Sequence, residues 1–171
     1  MKFQDEFRDR KLVEIMGDNI RRMARQLRRP VNFMEVCGTH TMEIGRSGLR
    51  SILPANIELI SGPGCPVCVT PASVIDTACQ LSKSEAAILS FGDLIRVPGD
   101  NDSLENARSN GGKVEAVLTP SHALKRALEN PHQDFVFIAV GFETTTPAIA
   151  RTIRNAYNQK IKNLFFLVAH R

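Results

Sequence analysis

The sequence predicts an α/β fold of repeated β-α-β units, with a mostly parallel sheet and helices on both of its faces. Two observations lead there. After Pro30 the chain repeats one rhythm: a short run rich in β-branched and aromatic residues, a loop rich in Gly, Pro or Thr, then a helical stretch. Strands alternating with helices imply right-handed crossovers between parallel neighbours. The second observation is where the unusual residues fall. In such sheets ligands gather beyond the carboxyl ends of the strands, and the loops that follow the expected strands are "CGTH", "GPGCPVC", "GDLIRVPG" and "GFETTTP".

A helix precedes the rhythm. At 100° per residue, Arg21, Arg22, Arg25, Arg28 and Arg29 fall on one side of it and Leu12, Met16, Ile20, Met23 and Leu27 on the other, which makes an amphipathic helix. A solvated outer face, with arginines near a helix C-terminus, accounts for the charge. No aromatic residues interleave with the arginines, so a nucleic-acid surface is not expected. Strands are then expected at 31–36, 57–61, 86–91, 114–118, 134–140 and 164–169, and helices near 40–52, 71–83, 103–110, 121–130 and 147–159. Pro71 and Pro147 suit first-turn positions, Ser103 suits an N-cap, and Thr119 or Ser121 offers another. Six strands form one sheet or begin two. The expected divisions are an N-terminal helix over 1–30, a first α/β unit over 31–130 and an incomplete second unit over 131–171, with "ENPHQD" (129–134) as the boundary.

The totals bound the class. A chain of 171 residues, 43% hydrophobic and 23% charged with net charge +4, suits a folded globular protein. No apolar run approaches the roughly 18 residues of a membrane span, and "MKFQDEFRDRK" has no apolar leader core. A cytoplasmic location is therefore expected, with no membrane partner. In that compartment four cysteines read as metal-binding or redox-active, not as a disulfide framework.

Cys37 and His40 stand in C-x-x-H spacing, and Cys65 and Cys68 in C-x-x-C spacing. Two close pairs from separate segments describe a Cys₃His zinc site. The same residues also describe a redox dithiol at Cys65 and Cys68, just ahead of a helix start, joined by a third thiol with an imidazole beside it. Soft thiolates favour iron, zinc or copper(I). Cys79, among Val74, Ile75 and Ala78 on a helix, reads as a small buried hydrophobe. In "GFETTTP" the threonines serve either as helix caps or as an anion-binding wall, and Asp93 and Arg96 either pair with each other or face the cleft. No phosphate-binding glycine loop is present.

The combination "MEVCGTHT", "GPGCPVCV", "SFGDLIRVPG" and "GFETTTPAIA", in this order, resembles the HypD family of [NiFe]-hydrogenase maturation proteins, and the likeness runs from about residue 5 to the end. The resemblance implies a scaffold more than a self-contained enzyme. It would hold iron while cyanide and carbon monoxide are attached to form Fe(CN)₂CO, together with a small HypC-like chaperone. A HypE-like carbamoyl dehydratase would deliver cyanide, and the hydrogenase large subunit would receive the product. On that likeness Cys37, Cys65 and Cys68 are metal-contacting, Cys65 and Cys68 form the redox pair, and His40 sits beside Cys37. Thr39, Thr41, Glu143, Thr144 and Thr145 then line the site. Members of the family also carry a [4Fe–4S] cluster on C-terminal cysteines that this sequence lacks, so the chain is expected to be a truncated form. Two other readings stand beside this one: a thiol–disulfide redox protein using Cys65 and Cys68, and a zinc-stabilised Cys₃His binding module.

Overall fold

The structure, a computed structural model, describes residues 9–170; the leader reading of the first residues lies largely outside that range. The chain is α/β throughout, with all of its strand pairs parallel, and it divides after Gly64 into two compact units.

The first unit holds α1 (Arg10–Ala24), β1 (Val31–Glu35), α2 (Gly38–Arg46), α3 (Leu49–Ile52) and β2 (Ile57–Ser61). Asp9 caps α1 by accepting the Leu12 N–H at 3.1 Å. The helix ends earlier than its charge pattern suggests: Arg25 is its C-cap, and Arg28 and Arg29 lie beyond it. Pro30 disfavours helical backbone at Arg29, and the Asn56 side-chain amide donates to the Ala24 carbonyl at 2.8 Å. The helix rests on its small residues. Gly17 and Ala24 are buried, and a Cβ on Gly17 would stand 2.9 Å from an Ile52 methyl, while Leu12, Met16 and Met23 face solvent. The stretch expected as one helix over 40–52 breaks at Gly48, whose φ of +64° is left-handed backbone that glycine adopts freely. β1 and β2 pair in parallel from Val31↔Ile57 to Glu35↔Ser61. The chain therefore leaves both strands at the same end, toward Cys37 in one case and Gly64 in the other.

The second unit is a three-layer sandwich. Its sheet runs β4-β3-β5-β6, with β3 (Ala87–Ser90), β4 (Val114–Ala116), β5 (Phe135–Gly141) and β6 (Leu164–His170). All seven residues of β5 are buried, as a central parallel strand requires. Its side chains alternate between two cores. Val136, Ile138 and Val140 pack with Ile75, Ala78 and Cys79 of α4 (Ala72–Ser82) and with Leu104 and Ala107 of α5 (Leu104–Ser109). Phe135, Phe137 and Ala139 pack with Ala123, Leu124 and Ala127 of α6 (Pro120–Glu129) and with Ile149 and Ala156 of α7 (Thr146–Asn158). Helices thus cover both faces. Residues 129–134 lead from α6 directly into β5 at the centre of this sheet.

The start signals act as their chemistry dictates. Ser103 caps α5 by accepting the Asn106 N–H at 3.2 Å, and Pro120 and Pro147 occupy first-turn positions. Pro71 lies one residue earlier than expected, as the N-cap of α4. Thr119 is the N-cap of α6 without a side-chain capping bond, its hydroxyl standing 2.8 Å from that of Ser121.

Candidate functional site

The strand order places a topological switch between β3 and β5. From β3 the chain steps outward to β4, then crosses back over β3 to β5 on its far side. The loops that diverge at the carboxyl ends of two such strands leave a crevice between them. A cavity of about 350 Å³ lies there, lined by Cys65, Phe91, Asp93, Gly141 and Thr145 among others. A rigid wall backs it. Phe91 stands edge-to-face on the fully buried Phe137 at 5.4 Å, and Phe137 on Phe166 at 6.1 Å.

Cys65 enters this cavity from a compact turn. The Cys65 carbonyl accepts the Val69 N–H at 3.1 Å, and the Thr70 hydroxyl donates to the Pro66 carbonyl at 2.6 Å. Inside the turn the Cys68 N–H donates to the Cys65 sulfur at 3.4 Å, and the Cys65 thiol donates to the Cys68 sulfur at 3.1 Å. The pair is a dithiol, since a disulfide would hold the sulfurs about 2.05 Å apart. Cys68 is the more exposed of the two.

Thr145 lines the cavity from the 3₁₀ turn Glu143–Thr145, whereas Glu143 and Thr144 point outward as exposed residues. A Cβ on Gly141 would meet the Thr145 side chain at 2.6–2.9 Å, so glycine lets that threonine close onto the strand end. Asp93 faces the cavity, while Arg96 turns away to Glu105 at 3.3 Å. Cys79 is 2% exposed in the α4 core. Burial pushes its thiol up, and the carboxylates of Asp102 and Asp76 add to the effect. A four-thiolate cluster does not fit this set, because removing Cys79 leaves only Cys37, Cys65 and Cys68.

In the first unit Cys37 is the N-cap of α2, in extended backbone (φ −119°, ψ 126°) and without a side-chain capping bond. Thr39 and His40 follow on the exposed first turn. Thr41 is turned inward: its hydroxyl donates to Glu35 Oε1 at 3.1 Å and lies 3.4 Å from the Cys37 carbonyl.

Sequence reasoning passed over Glu35. It closes β1, two residues before Cys37, with its side chain only 8% exposed. Its backbone N–H is the main cause holding its carboxyl below the ordinary range; burial opposes this, and the Ser61 and Thr41 hydroxyls and Arg50 reinforce it. The readable signal is a carboxylate on the same strand face as Val31 and Phe33. His170 was passed over as well. It closes β6 in register with Gly141, at the start of the threonine loop. Among the described residues, Glu35 Oε2 and His170 Nε2 are buried polar atoms without a hydrogen-bond partner.

An α/β chain that carries a close pair of thiols at the switch point of a parallel sheet is a thiol-presenting α/β protein, and thiol sulfurs are ligands that soft metals prefer. Residues 11–171 match the family model described as HypD, hydrogenase formation hypA family, and the chain belongs to that family. It is 43% identical over 175 residues to hydrogenase maturation factor HypD of Escherichia coli K12, covering 99% of this chain and 47% of that protein. It is 44% identical over 172 residues to hydrogenase maturation factor HypD2 of Bradyrhizobium diazoefficiens, covering 99% of this chain and 45% of that one. A putative hydrogenase expression/formation protein of Methanocaldococcus jannaschii is 40% identical over 163 residues, 95% of this chain and 45% of the relative. The chain spans about half the length of the curated relatives it matches. Among the described residues no helix is long and apolar enough to cross a membrane.

Proposed function

We propose that this chain acts in hydrogenase maturation as a thiol scaffold that holds iron as its substrate while Fe(CN)₂CO is assembled, together with a small HypC-like chaperone. A HypE-like carbamoyl dehydratase supplies cyanide, and the hydrogenase large subunit is the eventual recipient. Cys37 is the principal iron-contacting thiolate, and Cys65 and Cys68 act on the same iron. The reduced pair is a two-electron, two-proton donor: an acceptor bound beside it is reduced as the two S–H bonds give one S–S bond. His40, on the first turn of α2, sits beside Cys37 and orients it. Thr39, Thr41 and the Glu143–Thr145 loop shape the surroundings, with Thr145 lining the same cavity as Cys65.

The observation that carries this reading is the 3.1 Å separation of the Cys65 and Cys68 sulfurs, with Cys65 lining the switch-point cavity. The parallel register of β1 and β2 supports it, since Cys37 and residues 62–64 follow the same end of one strand pair. Membership of the HypD family gives the dithiol its context. The dithiol geometry equally favours a second reading, a thiol–disulfide protein that works without Cys37.

Infrared spectroscopy separates the two. The chain, purified without oxygen after co-expression with its maturation partners, is expected to show paired bands of metal-bound cyanide and carbon monoxide that vanish in Cys37→Ser. Bands that survive in that variant overturn the assignment of Cys37. One tightly held zinc per chain in place of iron replaces the reading with a zinc module.

A further inference from the structure

Glu35 has more hydrogen-bonding work than the end of a strand requires. Its backbone carbonyl accepts the Gly62 N–H at 2.8 Å, and a Cβ at position 62 would collide with that carbonyl oxygen. Its Oε1 takes the Thr41 hydroxyl at 3.1 Å and lies 3.7 Å from Arg50 Nη2. Arg50 in turn donates to the Leu59 carbonyl at 2.7 Å and to the Ser61 hydroxyl at 3.1 Å. One buried carboxylate therefore ties together the end of β1, the first turn of α2 and, through Arg50, the end of β2. Thr41 closes the circuit onto Cys37, because both its N–H (3.1 Å) and its hydroxyl (3.4 Å) reach the Cys37 carbonyl.

We propose that Glu35 is a positioning residue for Cys37, acting through the Thr41 hydroxyl to fix the backbone at the α2 cap and so the direction of the thiol. The unpartnered Oε2 separates this role from plain strand stabilisation. A buried oxygen without a donor carries a desolvation cost that an apolar residue at this place would avoid. What the carboxylate supplies in return is the bond made by its other oxygen. The backbone tie through Thr41 holds the residue that carries the thiol at the start of α2. The proposal deepens the scaffold reading and rests on it only for why the direction of Cys37 matters.

The test reads the thiol directly, without iron. The rate at which iodoacetamide alkylates Cys37 is measured by peptide mass spectrometry at constant pH in Thr41→Val, Thr41→Ser, Glu35→Ala and the Glu35→Ala/Thr41→Val double variant. Cys79 must stay unmodified in the second unit, and thermal unfolding is followed alongside. Thr41→Val keeps the shape and loses the hydroxyl, so its Cys37 rate is expected to change about threefold or more, as loss of one hydrogen bond allows. Thr41→Ser restores the hydroxyl and is expected to keep the parent rate. The double variant is expected to match Glu35→Ala alone, because residues acting through one bond do not add. A parent rate in Thr41→Val, or two effects that multiply, overturns the proposal. If Glu35→Ala does not fold, the Thr41→Val and Thr41→Ser pair decides alone. Failure of the scaffold reading shows only in the infrared experiment and leaves this result standing.

Discussion

In the second unit every residue of β5 is buried between β3 and β6, whereas in the first unit Phe33 and Met34, midway along β1, are 54% and 57% exposed. Both units use parallel strands joined through helices. Of the buried apolar side chains among the described residues, however, all but Ala24 belong to the second. The second unit is held chiefly by hydrophobic burial, which is large and non-directional. The first is held in greater part by specific polar ties: Asn56 to Ala24, Arg50 to Leu59, Glu35 to Thr41 and Gly62 to Glu35. Directional bonds fix angles as well as distances. A unit that presents Cys37 from a loop gains definition from them that a larger core would not supply by itself.

The largest expected effect tests that contrast with one substitution made twice. Phe137→Ala empties a fully buried site between two aromatic rings and is expected to cost about 3–5 kcal/mol. Phe33→Ala is expected to stay within about 0.5 kcal/mol. Urea denaturation monitored with a separate probe in each unit measures both, since two units need not unfold in one step. A Phe33→Ala loss rivalling that of Phe137→Ala would mean that the β1 face is covered in solution, and the comparison would fall.

Close approaches come next. At Gly62 an added Cβ runs into a backbone oxygen, that of Glu35, which cannot move without opening the β1–β2 end. At Gly141 it meets only the Thr145 side chain. Gly62→Ala is therefore expected to lower stability by about 1–3 kcal/mol, the usual scale of overpacking. Gly141→Ala should be milder and shift Thr145 instead. Thermal denaturation of the two variants ranks them, and the reverse order would refute the account.

Each unit also contains a carboxyl group held below the ordinary range. In the second unit it is Asp76, whose main cause is the Asn101 N–H, with burial opposing and the Asp100 N–H assisting. A depressed folded-state value means that the contribution is complete above the unfolded-state value and is lost as pH falls through the folded one. Acidification from neutrality toward about pH 3 is thus expected to weaken Glu35's unit and Asp76's unit alike. Asp76→Asn should flatten the acid limb for the second unit and leave that of the first, and Glu35→Gln should do the converse. Denaturation midpoints across the pH series measure it. An unchanged acid limb in either variant contradicts the assigned cause.

The elements themselves were legible because their signals are local. All six expected strands are present to within a residue or two at each end, and Ser103 caps where its spacing from Asn106 said it would. The cavity position was partly legible, since strand-end loops carry the chemistry in parallel sheets. Sheet membership was not. Nothing near β2 announces that, among the described residues, β1 is its partner, because pairing is a long-range choice. Three of the five arginines proved to lie beyond the helix proper, since periodicity alone cannot see a helix end captured by Asn56. Glu143 and Thr144 shared a motif with Thr145, but the 3₁₀ turn directs only Thr145 to the cavity. Glu35 was hidden for a different reason. Its importance lies in partners up to 26 residues away in sequence, which composition does not reveal.

The smallest expected effects compare one bond in two settings. Asp9 caps α1 and Ser103 caps α5, each accepting an N–H three residues on, at 3.1 and 3.2 Å. Cap removal by alanine typically costs about 0.5–2 kcal/mol. In α5 the capped turn begins at Leu104, which is wholly buried, so fraying there would pull a core side chain loose. Ser103→Ala is therefore expected to lower the global stability of the second unit by about 1 kcal/mol. In α1 the first turn carries Leu12 at 42% exposure, and it can open without disturbing anything buried. Asp9→Ala should then appear as faster amide exchange over the first turn of α1, with little change in the unfolding midpoint. Native-state hydrogen exchange distinguishes local from global opening. If Asp9→Ala instead raised exchange throughout the first unit, α1 would be integral to that unit's stability, and the picture of a unit held mainly by polar ties between β1, α2 and β2 would have to give way.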